Sequence, residues 1–191
     1  MTHSSPNAII WHYFTALSRL VDGIDRAGDE SAIREDVALC VILAVTIVEA
    51  FLNIFFRVVV SEPDFTKHEK CILDDLKKRK TLAHKLETWP KKIFGKPLDF
   101  AAPTPKAFRA LMERRNNLMH FTSSHTTIIP GPGIIIHGLA DTSVFDTLTP
   151  SDAASALDLA EGMIRDLCRL RGIPEHQLPH ELHMWTGKVP I

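Results

Sequence analysis

Cysteine is scarce in this sequence, and the few cysteines are not spaced for a metal or redox site. Cys40, Cys71 and Cys168 are odd in number, lie far apart, and form no CxxC pair. We expect them to be reduced thiols in the core of a cytoplasmic protein. The sequence predicts neither a metal ion nor another cofactor.

An excess of charge of one sign is also missing. Lysine and arginine total 22 against 23 acidic residues, which gives a net charge of -1. The hydrophobic share of 45% is that of an ordinary folded protein. The length suits one domain spanning residues 1–191. Total charge therefore points to no particular class of partner.

The N-terminus lacks the basic flank, short apolar run and small-residue cleavage site of an export signal. Residues 36–60 form a long apolar stretch, but Glu49, Asn53 and Arg57 interrupt it at helical spacing. We interpret this stretch as a buried core helix and expect no membrane partner.

Several motifs that carry known chemistry are missing. We find no Gly-rich phosphate loop, no RNA-binding aromatic motif and no Ser-His-Asp order. His176, His180 and His183 lie close together near the C-terminus, but they do not form the HExxH of zinc hydrolases. Their simpler interpretation is an exposed tail.

Apolar residues recur at helical spacing through most of the chain, which predicts an all-α protein. Proline, glycine and capping residues set the expected helix ranges: residues 6–28, 36–60, about 64–86, about 105–120 and 150–171. Thr149, Pro150 and Asp152 have the pattern of a capping box at the last of these starts. We predict a loop from Trp89-Pro90 to about residue 105.

Two further segments receive weaker predictions. β-Branched runs at residues 126–129 and 134–136 flank a Pro-Gly-Pro-Gly sequence, which suggests a short β-hairpin between the last two long helices. The composition leaves open whether that hairpin forms. Residues 173–191 show no firm period, so they are expected to be an irregular tail outside a core of about residues 34–171.

An arginine interrupts the apolar stripe of the helix that contains ERRNNLMHF, residues 113–121. On a helical projection Arg115 lies near the middle of an arc formed by Phe108, Leu111, Met112, Leu118 and Met119. A buried unpaired charge costs several kcal/mol, so Arg115 needs a partner. We predict that Glu49, together with Asn53, supplies it.

The run from Arg115 and Asn116 to His120, late in a helical domain, resembles the signature of the HEPN superfamily. That signature is an arginine, four to six residues, then a histidine, with a polar residue often following the arginine. The segment VEAFLN, residues 48–53, is similar to the second helix of that family. Residues 85–99 are similar to the segment before its signature helix. The likeness covers roughly residues 34–171 and predicts an antiparallel bundle of four to five helices.

The resemblance implies a metal-independent endoribonuclease, a hydrolase that is usually a homodimer with the two signature helices at a shared cleft. Cleavage by the RNA 2'-hydroxyl needs a base, an acid and a cation for the phosphate charge. His120 suits acid or base work, and Arg115 suits the phosphate. Asn116 would orient the histidine or hold a phosphate oxygen. Two copies of His120 would then face one cleft.

Other interpretations remain open from the sequence. The protein is either a ribonuclease, such as a toxin or defence effector with an antitoxin or regulatory partner, or a non-catalytic HEPN module that binds nucleotide, RNA or protein. Arg115 has a purely structural interpretation, and so does His120. Some HEPN toxins carry a tyrosine two residues after the histidine, where Thr122 stands here. Control by modification of that tyrosine is therefore in doubt.

A basic segment precedes the signature helix. Residues 67–96 contain ten lysines and arginines against four acidic residues. Such a run is most often a solvated face, but next to a ribonuclease cleft it would follow RNA phosphates. The RNA-binding residues predicted from it are Lys77, Lys78, Arg79 and Lys80.

Overall fold

The computed structural model of this chain describes residues 5–24, 29–119, 125–131, 134–140 and 143–187. Within them the protein is helical, as the sequence predicts, with eight α-helices and one two-stranded sheet. The helices are α1 (Ala8–Ile24), α2 (Glu30–Val59), α3 (Glu69–Lys77), α4 (Leu82–Phe94), α5 (Pro103–Met119), α6 (Ser143–Asp146), α7 (Pro150–Arg171) and α8 (Leu178–Thr186). Two short 3₁₀ turns, Thr66–His68 and Glu175–Gln177, precede α3 and α8.

Helix α2 is the centre of the fold, with α1, α5 and α7 packed around it. It begins six residues earlier than the sequence predicted, because Asp29 caps it by accepting a hydrogen bond from Ser31 N at 3.3 Å. It ends at Val59, before Pro63. Thirteen of its residues are buried, among them Phe51, Phe55 and Phe56.

By length and composition α2 is apolar enough to cross a membrane. Many of its apolar side chains are buried against α1, α5 and α7, while Leu39 and Val58 are exposed. This packing is compatible with a soluble protein.

The last long helix begins where the sequence places it. Thr149 and Asp152 form the capping box, Pro150 is the first helical residue, and Gly172 ends the helix with a φ of +96°. These signals act over three or four residues, so they do not depend on tertiary packing.

Residues 64–86 are largely helical, as predicted, but they form a 3₁₀ turn, α3 and the start of α4 instead of one continuous helix. The chain turns between α3 and α4, where Arg79 has a φ of +51° and Thr81 caps α4 by accepting from His84 N at 3.3 Å. The loop predicted at Trp89-Pro90 is wrong, because both residues lie inside α4. Trp89 is fully buried, packs edge-on against Phe56 with ring centroids 5.5 Å apart, and donates to Asp75 at 3.0 Å. These contacts offset the backbone hydrogen bond that a proline lacks.

The C-terminal segment forms helix α8, so the irregular tail predicted for residues 173–191 is wrong across most of its length. Leu178, Leu182 and Trp185 are buried at helical spacing and pack against α1 and α7. Trp185 meets Phe51 of α2 edge-on at 4.9 Å. The core therefore extends beyond the predicted residues 34–171 and includes α1 and α8.

Two strands lie between α5 and α6, at the place where the sequence suggested a hairpin. His125–Gly131 and Ile134–Ala140 pair antiparallel, with register shifts between the paired positions. Elsewhere the predicted boundaries differ by a few residues. Helix α5 starts at Pro103 instead of about residue 105, and α1 occupies 8–24 of the predicted 6–28.

Candidate active site on helix α5

Helix α5 divides into a buried side and an exposed side. Phe108, Leu111 and Leu118 are buried, which confirms three of the five apolar positions predicted to face the core. Met119 is 50% exposed, so its predicted place in the buried stripe is wrong. Met119 is the last residue of α5, and Leu118 beside it is buried.

The structure describes only some of the residues of the predicted signature. Arg115 is partly buried and Asn116 is exposed on α5. His120 and Thr122 lie outside the described residues. The site is therefore built from Arg115, Asn116 and the elements around them, with His120 following Met119 in the chain.

Arg114 is held by the start of α7. Its Nη1 donates to Asp152 Oδ1, and its Nη2 donates to the backbone oxygen of Thr147 at 3.0 Å. Burial of the Asp152 carboxyl raises its pKa, but hydrogen bonds from Arg114 and Thr149 outweigh that burial and hold the pKa below its ordinary value. Arg114 is thus a structural arginine that joins α5 to α7.

Arg115 is not paired in this way. Its Nε is buried and has no hydrogen-bond partner, and no ion pair joins it to a carboxylate in the part of the chain that the structure describes. The predicted pair with Glu49 is wrong. Asn53 Oδ1 is likewise buried without a partner, so the predicted support of Arg115 by Asn53 is also wrong. Both atoms belong to helices that pack together, α5 and α2.

The partner of Glu49 is Lys85 of α4. Lys85 Nζ donates to Glu49 Oε1 at 2.9 Å, and Lys85 is only 3% exposed. The ammonium also lies 5.8 Å from the ring centroid of Trp89. The carboxylate predicted to neutralise Arg115 is thus occupied by a different cation, one turn before Trp89 on α4.

A cleft of about 430 Å³ lies between α4 and α5. Its walls are Ala83, Leu86 and Glu87 of α4, Phe100, and Arg109, Met112, Glu113 and Asn116 of α5. Arg109 donates to Glu87 at 3.2 Å, and its guanidinium carbon lies 4.4 Å from the ring centroid of Phe100. Asn116 therefore borders a concave surface.

Four residues that line the cleft with Asn116 were missed as site residues: Glu87, Phe100, Arg109 and Glu113. A signal was present: Arg109, Glu113 and Asn116 follow one another at spacings of four and three, which places them on one face of a helix. The contribution of Phe100 and Glu87 depends on how α4 packs beside α5, which no local pattern shows.

The predicted RNA-binding residues form the turn between α3 and α4. Lys77, Lys78, Arg79 and Lys80 are all exposed, and within the described ranges none of them forms an ion pair. We call these four residues the basic turn. Lys85, from the same basic segment, is buried and does not belong to this surface.

The C-terminal histidines lie on ordered structure rather than on a free tail. His176 is in the 3₁₀ turn, while His180 and His183 are on α8. The ring of His183 is 6.5 Å from that of Trp11. Over the residues described, no cluster of three or more His, Cys, Asp or Glu side chains is placed to hold a metal ion.

The ion pair between Lys85 and Glu49 predicts unequal losses of stability when one or the other partner is removed. Glu49→Gln strands the ammonium of Lys85, which is 3% exposed, and should lower the free energy of unfolding by about 2 kcal/mol. Lys85→Met leaves a Glu49 side chain that is 36% exposed and can be hydrated, so it should cost less than about 1 kcal/mol. Urea denaturation of both variants measures the difference. Equal losses would contradict the buried-cation account.

The two neighbouring arginines should also differ. Arg114→Ala removes hydrogen bonds to Asp152 and Thr147 and should cost about 2 kcal/mol at pH 7. Arg115→Ala should cost less than about 1 kcal/mol, because it strands no carboxylate. Since the folded pKa of Asp152 is lowered, its contribution is complete above the ordinary value of 3.8 and is lost as the pH falls through the lower folded value.

Urea denaturation at pH 7 and pH 3 checks both statements. The cost of Arg114→Ala should shrink at the lower pH, while that of Arg115→Ala should not change. A larger loss for Arg115→Ala at pH 7 would mean that Arg115 has a structural partner.

Comparison with known proteins gives no family assignment. No family model, no curated protein sequence and no solved structure matches this chain. The likeness to HEPN proteins depends on the residues of the signature and on their place in the helix order.

Proposed function

We propose that this protein is a metal-independent endoribonuclease of the HEPN type, with Arg115, Asn116 and His120 as its catalytic residues. The observation that carries the proposal is the buried Nε of Arg115, which has no hydrogen-bond partner beside the exposed Asn116. Buried polar groups nearly always have partners. An arginine whose Nε has no partner in the described structure suits an anionic ligand such as a phosphate, which its guanidinium can bind.

The neighbouring arginine makes the assignment more specific. Five residues lie between Arg114 and His120, and four lie between Arg115 and His120, so both spacings fit the signature. Arg114 is occupied by Asp152 and the Thr147 carbonyl. Arg115 has no such partner, and the polar residue that often follows the signature arginine is present as Asn116. These two features favour Arg115.

The reaction follows from the residue types. A base removes the proton of the RNA 2'-hydroxyl, and that oxygen attacks the adjacent phosphorus. The bond from phosphorus to the 5'-oxygen then breaks as an acid donates a proton to the leaving oxygen. His120 supplies base or acid, since a histidine has an ordinary pKa of about 6.5. Arg115 stabilises the phosphate charge, and Asn116 orients the histidine or holds a phosphate oxygen.

The basic turn supports RNA as the substrate. Four adjacent cations that are exposed and free of ion pairs in the described structure attract phosphates without reading sequence. The turn leads directly into α4, which forms one wall of the cleft that Asn116 borders. RNA held by the turn would extend towards the signature helix.

A homodimer belongs to the proposal. One histidine cannot readily act on both sides of the phosphate in one step, whereas a two-fold axis beside α5 supplies a second His120. Apolar surface that a second copy would cover is present: Met119, next to His120 in the chain, is 50% exposed, and Leu39 of α2 is 51% exposed. We also propose that the protein acts in the cytoplasm as a toxin or defence effector. Its partner would be an antitoxin or a regulatory protein.

Purified protein should cleave single-stranded RNA in excess chelator and leave 2',3'-cyclic phosphate and 5'-hydroxyl ends. His120→Ala should lower the rate at least about 100-fold, because it removes a proton-transfer group. Arg115→Ala should lower it by about 100- to 1000-fold, because charge stabilisation is lost. Gel analysis of end-labelled RNA, with a test for cyclic ends, measures both effects.

His12→Ala is the matched control, since His12 is an exposed histidine on α1, and its variant should cleave like the wild type. Equal activity of the His12→Ala and His120→Ala proteins would show that a contaminating nuclease is responsible. Intact RNA with the wild type, combined with tight binding, would favour the alternative, a non-catalytic HEPN module.

A further inference from the structure

The cleft between α4 and α5 has the chemistry of a base-binding pocket. We propose that it binds one unpaired guanine base of an RNA chain and so gives the protein a base preference. The proposal rests on the proposed function only in taking RNA as the ligand, and it does not require that the RNA is cleaved.

The size and walls of the cleft suit a flat aromatic ring. Its volume is about 430 Å³, and Leu86 and Met112 supply apolar surface. The guanidinium carbon of Arg109 lies 4.4 Å from the ring centroid of Phe100, so one side of the cleft carries both an aromatic ring and a planar cation. Unpaired RNA bases are held by stacking on aromatic side chains and on guanidinium planes.

The charges of the cleft favour a base over a phosphate. It holds two carboxylates, Glu87 and Glu113, but only one cation, Arg109. Arg109 is paired with Glu87 at 3.2 Å, and Glu113 is exposed with no ion pair among the residues that the structure describes. An unpaired carboxylate repels phosphate and accepts hydrogen bonds from N–H groups.

Among the four bases, guanine offers the best match to a carboxylate. Its N1–H and N2 amino group are neighbouring donors on the Watson–Crick edge, so they can reach both oxygens of Glu113 at once. Adenine and cytosine place one amino group beside an acceptor nitrogen, and uracil places its N3–H between two carbonyl oxygens. Each of these three would bring an acceptor against the carboxylate, which leaves polar groups unpaired.

Asn116 connects the base pocket with the signature. It borders the cleft and directly follows Arg115 in the chain. Glu113 lies one turn before Asn116 on the same face of α5. A guanine bound against Glu113 would therefore lie beside Asn116, one of the residues proposed to act on the phosphate, while Arg115 projects from an adjoining face of α5.

Binding of 2'-O-methyl RNA tests the proposal, because this RNA lacks the attacking hydroxyl and cannot be cleaved by the proposed route. Fluorescein-labelled U-tract oligonucleotides carrying one central G, A, C or U are titrated with protein and followed by anisotropy. We expect the G-containing oligonucleotide to bind about tenfold more tightly than the other three, at the lower end of what a two-point base contact gives. Guanosine 5'-monophosphate alone should bind far more weakly, because it lacks the phosphates that the basic turn would hold.

Two variants and a control identify the pocket. Glu113→Gln should abolish the preference for G, because the amide presents one acceptor and one donor where guanine needs two acceptors. Phe100→Leu should weaken binding of all four oligonucleotides, since stacking does not depend on sequence. Asp158→Asn removes the same charge from an exposed position on α7 and should leave the preference unchanged.

Equal binding of the four oligonucleotides would overturn the proposal, as would a G preference that survives Glu113→Gln. Binding of guanosine 5'-monophosphate as tight as that of the oligonucleotide would overturn the choice of RNA as ligand. These outcomes are separate from catalysis. A preference for G without cleavage of ordinary RNA would support the base pocket and contradict the proposed nuclease. Cleavage without a base preference would support the nuclease and contradict the base pocket.

Discussion

The ion pair between Glu49 and Lys85 holds a nearly fully buried cation between α2 and α4. Helix α2 carries Glu49 within a mostly apolar surface, and Lys85 of α4 reaches it at 2.9 Å with its own side chain almost fully buried. A cation in that position is tolerated only while its carboxylate is present. The pair also fixes α4 beside α2, where Trp89 packs on Phe56.

Because Glu49 is taken, the two arginines of α5 have different environments. Arg114 pairs with Asp152 and so ties α5 to the capped start of α7. Arg115 keeps a buried Nε without a partner, and the next residue, Asn116, borders the cleft. The fold thus gives Arg114 structural partners and leaves the Nε of Arg115 without one. The proposed base pocket lies on the same helix face as Asn116, so positioning of the phosphate and selection of the base would depend on one rigid element.

The sequence predicted what depends on neighbours in the chain and missed what depends on packing. The start of α7 follows from Thr149, Pro150 and Asp152, which act within one turn. The helix through Pro90 could not be inferred locally, because burial of Trp89 overrides the proline. Glu49 was predicted to pair with Arg115, but it pairs with Lys85, and that difference depends on how three helices pack. Helix α8 had a readable signal, the spacing of Leu178, Leu182 and Trp185, within a segment rich in proline and histidine.

The central claim is that Arg115 is unpaired in the free protein and binds the RNA backbone. Nuclear magnetic resonance of ¹⁵N-labelled arginine side chains tests it directly, with the Nε–H signals assigned from Arg114→Lys and Arg115→Lys proteins. On titration with a 2'-O-methyl oligonucleotide, the Arg115 signal should move, because a phosphate now contacts its guanidinium, while the Arg114 signal stays in place. An Arg115 signal that does not respond at saturating RNA would contradict the account.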